Sequence, residues 1–355
     1  MLNFTVGPVQ ESKEVLEVGA QPTPYFRNQS FSKIMLENEA MMKELTFSDE
    51  ESRVVFLTAS GTGAMEAAVM NSFTSDDKVL VVNGGSFGKR FVQICQIHQI
   101  PYTEITVPIE EPLTKEMLEP YDGRDYTGFL INMHETSIGK LYDINMVSEF
   151  CKKNNLFLVV DAVSAFLAEP LNLSELGIDI MLTGSQKALA VPPGVSVLVM
   201  NKRAVDMAYN LDVRSMYFNL ADALKNGERG QTPFTPAVGI LLQIHRRLEE
   251  LCKAGAIAEN KRIADLAADF RKKVKDLPFR MFSPSPSNAV TAMTMENGKS
   301  AYALFELLES DYGMWICPNG GDLKDKIFRV GHLGALTFED NDRLVEAMKQ
   351  ALERL

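Results

Sequence analysis

The chain has 355 residues, of which 46% are hydrophobic and 23% charged, a composition typical of a folded globular protein and not of a disordered one. Its net charge of −11 disfavours nucleic acid and anionic membranes as principal partners. No apolar run reaches the roughly 18 residues of a membrane span, and the N-terminus lacks the basic and apolar regions of a secretory signal. The four cysteines (Cys95, Cys151, Cys252 and Cys317) form no CxxC pair, so we expect neither a disulfide framework nor a zinc site, and we predict a reducing, cytoplasmic setting.

Short β-branched runs alternate with helical patterns through the first part of the chain. Runs such as LFLVV are apolar at successive positions, as required of strands covered on both faces by helices. The alternation predicts an α/β fold with a large, mainly parallel sheet, in which short connections leave room for one antiparallel strand. The predicted strands cover 53–59, 78–85, 128–135, 155–164, 178–186 and 194–201, and the helices between them include 64–73 and 144–155.

After residue 236 the pattern changes to long helices with shorter strands between them. This mixture favours a smaller α+β domain. We predict an N-terminal arm over 1–15, a large domain over 16–253 and a small C-terminal domain over 254–355. The helices are predicted over 236–255, 257–277, 299–310 and 338–354, and the strands over 288–295 and 326–334.

The segment TASGTGAMEAA (58–68) predicts a strand, a Ser-Gly-Thr-Gly turn and the start of a helix. Exposed N–H groups and the helix dipole make such a terminus a binding site for an anion, and glycine permits close approach of a phosphate. The turn also fits an ordinary helix start capped by Ser60 or Thr62. It is neither GxGxxG nor a P-loop, which disfavours a dinucleotide-dependent oxidoreductase or a nucleotide hydrolase.

Two further strands end in residues with reactive side chains. Asp161 closes the run LFLVVD, at the end of a strand where open α/β sheets bind ligands, although an aspartate here also fits a helix cap. Lys187 lies among small and apolar residues in GSQKALAVPPG, where burial lowers the pKa of an amine nucleophile, although most lysines lie at the surface. An acid and a lysine on successive strand ends, following an anion-binding turn, favour one shared site.

SGTGAMEAA, VVDAVS and GSQKALAVPPG together resemble the class V pyridoxal-phosphate aminotransferases. The resemblance is greatest to the alanine–glyoxylate, serine–glyoxylate and 2-aminoethylphosphonate branches, and it extends from Gly7-Pro8 to FRVGHLG near the C-terminus. It implies the fold type I architecture, with a seven-stranded type of sheet in the large domain. It also implies pyridoxal 5′-phosphate as cofactor and a homodimer with shared active sites.

The resemblance also implies roles for individual residues. Lys187 would hold the cofactor covalently and later move the α-proton, while Asp161 would pair with the pyridine nitrogen and keep it protonated. Arg329, in IFRVGHLG, would bind the substrate carboxylate, for which its planar fork is suited. The other implied cofactor contacts are Ser60, Gly61 and Thr62 with Gln186 at the phosphate, Phe87 and Val163 on the two ring faces, Thr136 beside the ring, and Thr235 at the neighbouring subunit's phosphate.

Some positions stay without an assigned role. His134 fits a structural role as well as a catalytic one, and Glu135 and Arg27 have no assigned role. Thr232 stands where some relatives have a tyrosine.

The predicted function is transamination by a ping-pong mechanism. The donor would be alanine, serine or 2-aminoethylphosphonate, and the acceptor pyruvate or glyoxylate. The alternative is a cysteine desulfurase or related lyase of the same fold, with Cys317 as a mobile thiol. Such enzymes typically have histidine where Gln186 precedes Lys187, which disfavours them. An inactive cofactor-binding relative is disfavoured by the joint presence of Lys187, Asp161 and Arg329.

Overall fold

The computed structural model describes all 355 residues, which form thirteen α-helices and fifteen strands. The helices are α1 Lys13–Gly19, α2 Gln29–Leu45, α3 Gly61–Met70, α4 Ser86–Ile97, α5 Lys115–Leu118, α6 Ile144–Lys153, α7 Leu173–Leu176, α8 Lys202–Asn210, α9 Leu220–Gly227, α10 Val238–Ala254, α11 Ala256–Lys273, α12 Ala301–Tyr312 and α13 Phe338–Arg354. None of them is both long enough and apolar enough to cross a bilayer.

The strands are β1 Leu2–Asn3, β2 Arg53–Leu57, β3 Val79–Asn83, β4 Tyr102–Thr106, β5 Gly128–Asn132, β6 His134–Glu135, β7 Lys140–Leu141, β8 Phe157–Asp161, β9 Ile180–Gly184, β10 Ser196–Met200, β11 Phe279–Met281, β12 Val290–Met295, β13 Met314–Trp315, β14 Cys317–Pro318 and β15 Ile327–Gly331. Two short 3₁₀ helices cover Glu119–Tyr121 and Gly321–Leu323.

Seven strands form the central sheet in the order β2-β10-β9-β8-β5-β3-β4. Only β10 runs antiparallel to its neighbours, so the predicted mainly parallel sheet with one antiparallel strand is confirmed. The segment between β9 and β10 contains no helix. A parallel crossover needs a longer connection, and the chain therefore returns in the opposite direction.

Helices cover both faces of this sheet, as the apolar runs predict. One core cluster contains Ala67 of α3 and Phe91 of α4 on one face, and another contains Met42 of α2 and Leu241 of α10 on the opposite face. Every residue of β8 is buried between these layers. Strands of this kind must be apolar on both sides, which explains their continuous hydrophobic sequences.

The C-terminal part of the chain forms an antiparallel sheet in the order β11-β12-β15-β14. Helices α11, α12 and α13 supply side chains to its core, which also includes Phe4 from the N-terminal segment. Gly255 separates α10 from α11, close to the predicted boundary at 253. The division of the chain into domains stays a prediction.

One predicted strand differs from the observed structure. The run 128–135 is divided into β5 and the short β6, and β6 pairs with β7 instead of joining the central sheet. The residues after Asn132 leave the sheet at its carboxyl edge, where they contribute to the cavity described below. Apolar character alone does not distinguish a strand from the loop that continues it.

Candidate active site

The predicted functional residues lie at one edge of the central sheet. Strands β2, β9 and β8 point the same way, since β2 and β9 are both antiparallel to β10 and β8 is parallel to β9. Their carboxyl ends therefore bring the Ser60 turn, Lys187 and Asp161 to the same place. This is the edge at which open α/β sheets bind ligands.

A cavity of about 170 Å³ opens between these strand ends. It is lined by nine of the predicted residues, namely Ser60, Gly61, Thr62, Phe87, Thr136, Asp161, Val163, Gln186 and Lys187. Four further residues complete the lining: Met65, Arg90, His134 and Ser164. Thr235 and Arg329 do not line the cavity.

The Lys187 side chain is only 8% exposed, and its Nζ donates a hydrogen bond to the carbonyl of Val6. A Cβ at Gly7 would lie 2.7 Å from Lys187 Cδ, so glycine is needed here for the lysine to pass along the N-terminal backbone. Burial lowers the pKa of Lys187 to about 8, although the nearby Cys317 and Asp161 oppose that change. Neutral amine is then available near neutral pH, as nucleophilic and base chemistry requires.

Asp161 ends β8 and is 6% exposed. The N–H of Val163 donates to its Oδ1 at 2.8 Å. Burial raises the pKa of Asp161 to about 6, and the negative charge of Glu135 adds to that rise, while Lys187 and Arg90 oppose it. A desolvated carboxylate interacts strongly with a cationic partner, and a protonated ring nitrogen would be such a partner.

The start of α3 has the features of an anion site. Ser60 caps the helix by accepting the N–H of Gly63 at 3.3 Å. The N–H groups of Gly61 and Thr62 belong to the first turn and have no acceptor within the helix. Arg90 places a cation beside this turn, since its Nη1 donates to Thr62 Oγ1 at 2.9 Å. Backbone donors, a helix dipole and a guanidinium together favour a phosphate.

A chain of hydroxyl groups connects His134 to Thr136. His134 Nδ1 lies 2.9 Å from Ser164 Oγ, which in turn lies 2.6 Å from Thr136 Oγ1. Burial lowers the pKa of His134 to about 3, and the charges of Lys187 and Arg329 contribute, so the imidazole is neutral. Its Nε2 is buried without a hydrogen-bond partner. A neutral ring with a free nitrogen in the cavity wall is available to a bound molecule.

Arg329 lies in β15, separated from the cavity by Thr136. Its Nη1 donates to the carbonyl of Thr136 at 3.1 Å and its Nη2 to the carbonyl of Pro318 at 2.6 Å, while Nε has no partner. These contacts hold the guanidinium against the lining without neutralising its charge.

Thr235 is exposed and lies elsewhere, in a depression shared with Thr58 and Tyr217. Arg27 supports this region, because its guanidinium donates to the carbonyls of Thr232 and Pro233. Arg27 therefore has a structural contact that the sequence analysis did not assign.

Arg90 is the main cavity residue that the sequence analysis missed. Its guanidinium lies 4.8 Å from the centroid of the Phe87 ring, which it overlies. The available signal was its spacing: Arg90 follows Phe87 by three residues, and positions three apart share a helix face.

The lining fits pyridoxal 5′-phosphate in each of its parts. The buried amine of Lys187 suits an aldehyde, the Asp161 carboxylate suits a pyridinium, and Phe87 and Val163 suit the two faces of a flat ring. The α3 terminus with Arg90 suits the phosphate. The buried Nε2 of His134, which has no partner in the protein, is a further position for a polar substituent.

Comparisons with known proteins agree with this chemistry. The family model described as aminotransferase class-V matches residues 18–315. An uncharacterized aminotransferase of Helicobacter pylori is 31% identical over 100% of this chain and 95% of its own length. The L-aspartate–glyoxylate aminotransferase of Paracoccus denitrificans is 27% identical, covering 94% and 86%, and the serine–glyoxylate aminotransferase of Hyphomicrobium methylovorum is 26% identical, covering 94% and 85%.

Among solved structures, a subgroup IV aspartate aminotransferase from Thermus thermophilus superposes with a TM-score of 0.92 at 28% identity, covering 100% of this chain and 99% of its own. The fold type I prediction is thereby confirmed. The chain belongs to the class V aminotransferases and is a pyridoxal-phosphate-dependent enzyme.

Proposed function

We propose that this aminotransferase moves an amino group from a small amino donor to glyoxylate or pyruvate by a ping-pong cycle. The observation that carries the proposal is Arg329, a half-buried guanidinium beside the cavity whose hydrogen bonds go to carbonyls and not to a carboxylate. Its unpaired charge suits the carboxylate that amino acids and 2-oxo acids share.

Pyridoxal phosphate, when bound, supplies a ring that withdraws electrons from the substrate's α-carbon. We propose that Asp161 holds a proton at the ring nitrogen and that Lys187, as a neutral amine, moves the α-proton. Phe87 and Val163 orient the ring and exclude water, with Thr136 at its side. Ser60, Gly61, Thr62 and Gln186 bind the phosphate.

The donor is proposed on two grounds. Serine is supported by the name of the relative from Hyphomicrobium methylovorum. Aspartate is added as a candidate donor because of the name of the relative from Paracoccus denitrificans. Alanine and 2-aminoethylphosphonate rest on the resemblance of the sequence motifs.

The test is a matrix of single half-reactions followed by the change in cofactor absorbance. Each donor (alanine, serine, aspartate and 2-aminoethylphosphonate) is mixed with the pyridoxal form, and glyoxylate or pyruvate with the pyridoxamine form. We expect fast conversion with one or two donors and with glyoxylate. Failure of all four donors would refute the proposed substrate class while leaving the cofactor assignment intact.

Arg329→Lys sharpens this test, because lysine retains the charge and loses the bidentate fork. We expect a higher KM for carboxylate-bearing donors and little change for 2-aminoethylphosphonate, which has no α-carboxylate. Equal losses for all donors would indicate a folding defect and would remove Arg329 from carboxylate binding.

We also propose a cytoplasmic homodimer. The cysteines, including the buried Cys95 and Cys151, are free thiols, as in a reducing compartment. The exposed aromatic residues Tyr25 (69% exposed) and Tyr217 (45% exposed) lie in depressions that Thr235 also lines, and such a surface suits contact with a second copy.

Shared active sites are tested by mixing two inactive variants. In a heterodimer of Lys187→Met and Thr235→Asp chains, one of the two active sites is intact. It combines Lys187 of the Thr235→Asp chain with Thr235 of the Lys187→Met chain. Random pairing restores about a quarter of all sites, since half of the dimers are mixed and each has one intact site. A mixture without activity, or a monomeric wild-type protein, would contradict the shared site.

A further inference from the structure

Glu135 is buried under the start of α4 and has no assigned role. It is 0% exposed, and its Oε2 accepts the N–H groups of Phe87 at 3.1 Å and Gly88 at 3.2 Å. Three side chains complete its coordination, because Asn132 Nδ2 donates at 3.1 Å, Ser137 Oγ at 2.5 Å and Ser86 Oγ at 3.5 Å. The contacts of the carboxylate are thus hydrogen-bond donors on every side.

Helix α4 depends on this carboxylate for its cap. Its own N-cap residue is Gly85, which has no side chain to accept an N–H. A Cβ at Gly85 would lie 2.4 Å from Glu135 Cδ and 2.5 Å from Cγ, so only glycine lets the acid approach. The cap therefore comes from a residue 48 positions away in the sequence, and its negative charge faces the positive end of the helix dipole.

The N-terminal half of α4 carries two residues of the cofactor cavity. Phe87 donates its N–H directly to Glu135, and Arg90 lies one turn further along. Arg90 contacts the Phe87 ring and the Thr62 hydroxyl, which extends the connection to the phosphate turn. Glu135 also lies between His134 and Thr136, both of which line the cavity.

We propose that Glu135 is a positioning residue for the cofactor: by capping α4 from β6, it fixes the Phe87 ring and the Arg90 guanidinium in the places where they meet the ring and the phosphate. Besides the effect of its charge on Asp161, it acts through these two residues, and it does not line the cavity itself. The inference rests on the cofactor site and is independent of which amino donor is used.

The experiment compares Glu135→Ala and Glu135→Gln with Ser300→Ala. Ser300 caps α12, which has 12 residues like α4, and it lies in the C-terminal part of the chain away from the cavity. The control therefore removes a similar helix cap without touching the cofactor. Cofactor-free protein is titrated with pyridoxal phosphate, and the circular dichroism of the bound cofactor is recorded.

We expect Glu135→Ala to raise the Kd for pyridoxal phosphate about tenfold, which corresponds to about 1.4 kcal/mol, and to alter the cofactor's circular dichroism. Glu135→Gln retains one acceptor and should show a smaller change. Hydrogen exchange of the Phe87 and Gly88 amides should accelerate in the cofactor-free variants. Ser300→Ala should lower Tm with unchanged cofactor affinity.

Wild-type affinity and an unchanged dichroism spectrum in both Glu135 variants would overturn the proposal. Equal loss of affinity in Ser300→Ala would do the same, because it would show a general effect of lost stability. If Glu135→Ala does not fold, Glu135→Gln decides the question by the same readouts. Failure of every donor in the half-reaction matrix would leave these results interpretable, since none of them depends on turnover.

Discussion

The buried amine of Lys187 should destabilise the cofactor-free protein in a way that pH reveals. Burial lowers the pKa of Lys187 from 10.5 to about 8. That difference corresponds to a cost of about 3 kcal/mol for keeping the amine charged in the folded state. Lys187→Met removes this cost, but it also leaves the Val6 carbonyl without its donor, which costs about 1–3 kcal/mol.

The sign of the pH dependence follows from the direction of the pKa change. The folded protein holds the Lys187 proton less tightly than the unfolded chain, so the cost is fully present below pH 8. It declines as the pH rises from 8 towards 10.5, where the unfolded chain also loses the proton. By pH 10, less than about 1 kcal/mol of it remains.

The assay is denaturant unfolding of cofactor-free wild type and Lys187→Met at pH 7 and pH 10. We expect the advantage of the variant over wild type to shrink by about 2–3 kcal/mol between the two pH values. Lys13→Met is the matched control, since its side chain is 84% exposed and should show no such change. A difference between Lys187→Met and wild type that is independent of pH would refute the reasoning.

Three further predictions concern the site. Asp161→Asn should weaken cofactor binding by about tenfold or more, because a charged hydrogen bond is lost. Burial raises the pKa of Asp161 to about 6, so the affinity of the wild type for pyridoxal phosphate should fall below pH 6. If the affinities of the Asp161→Asn variant and the wild type fall alike with pH, the Asp161 carboxylate is not the cause. Ser60→Ala removes the α3 cap, and it should lower the free energy of unfolding by about 1 kcal/mol, measured by thermal unfolding. It should also weaken binding of the cofactor phosphate. An unchanged cofactor affinity would show that the Ser60 cap is separate from the phosphate site. Cys317→Ala should leave transamination intact, and sulfide release from cysteine by the wild type, abolished in this variant, would instead favour the desulfurase alternative.

The sequence by itself determined the features that depend on neighbouring residues. A strand buried on both faces is mostly apolar, and β8 is apolar up to Asp161 and β9 through Leu182. The Ser60 turn, Asp161 and Lys187 each lie at or just beyond the end of such a strand. Because strands of one direction end at the same edge, their meeting could be predicted without coordinates, and the family motifs added the cofactor.

Only the tertiary structure decided which distant groups support these residues. Lys187 rests against Val6, 181 positions away, and His134 meets Ser164, 30 positions away. Glu135 contacts the start of α4 from the short strand β6. These contacts have no local periodicity or spacing, since they arise where separate elements pack together. The burial that lowers the pKa of Lys187 and raises that of Asp161 likewise depends on all the layers around the sheet edge.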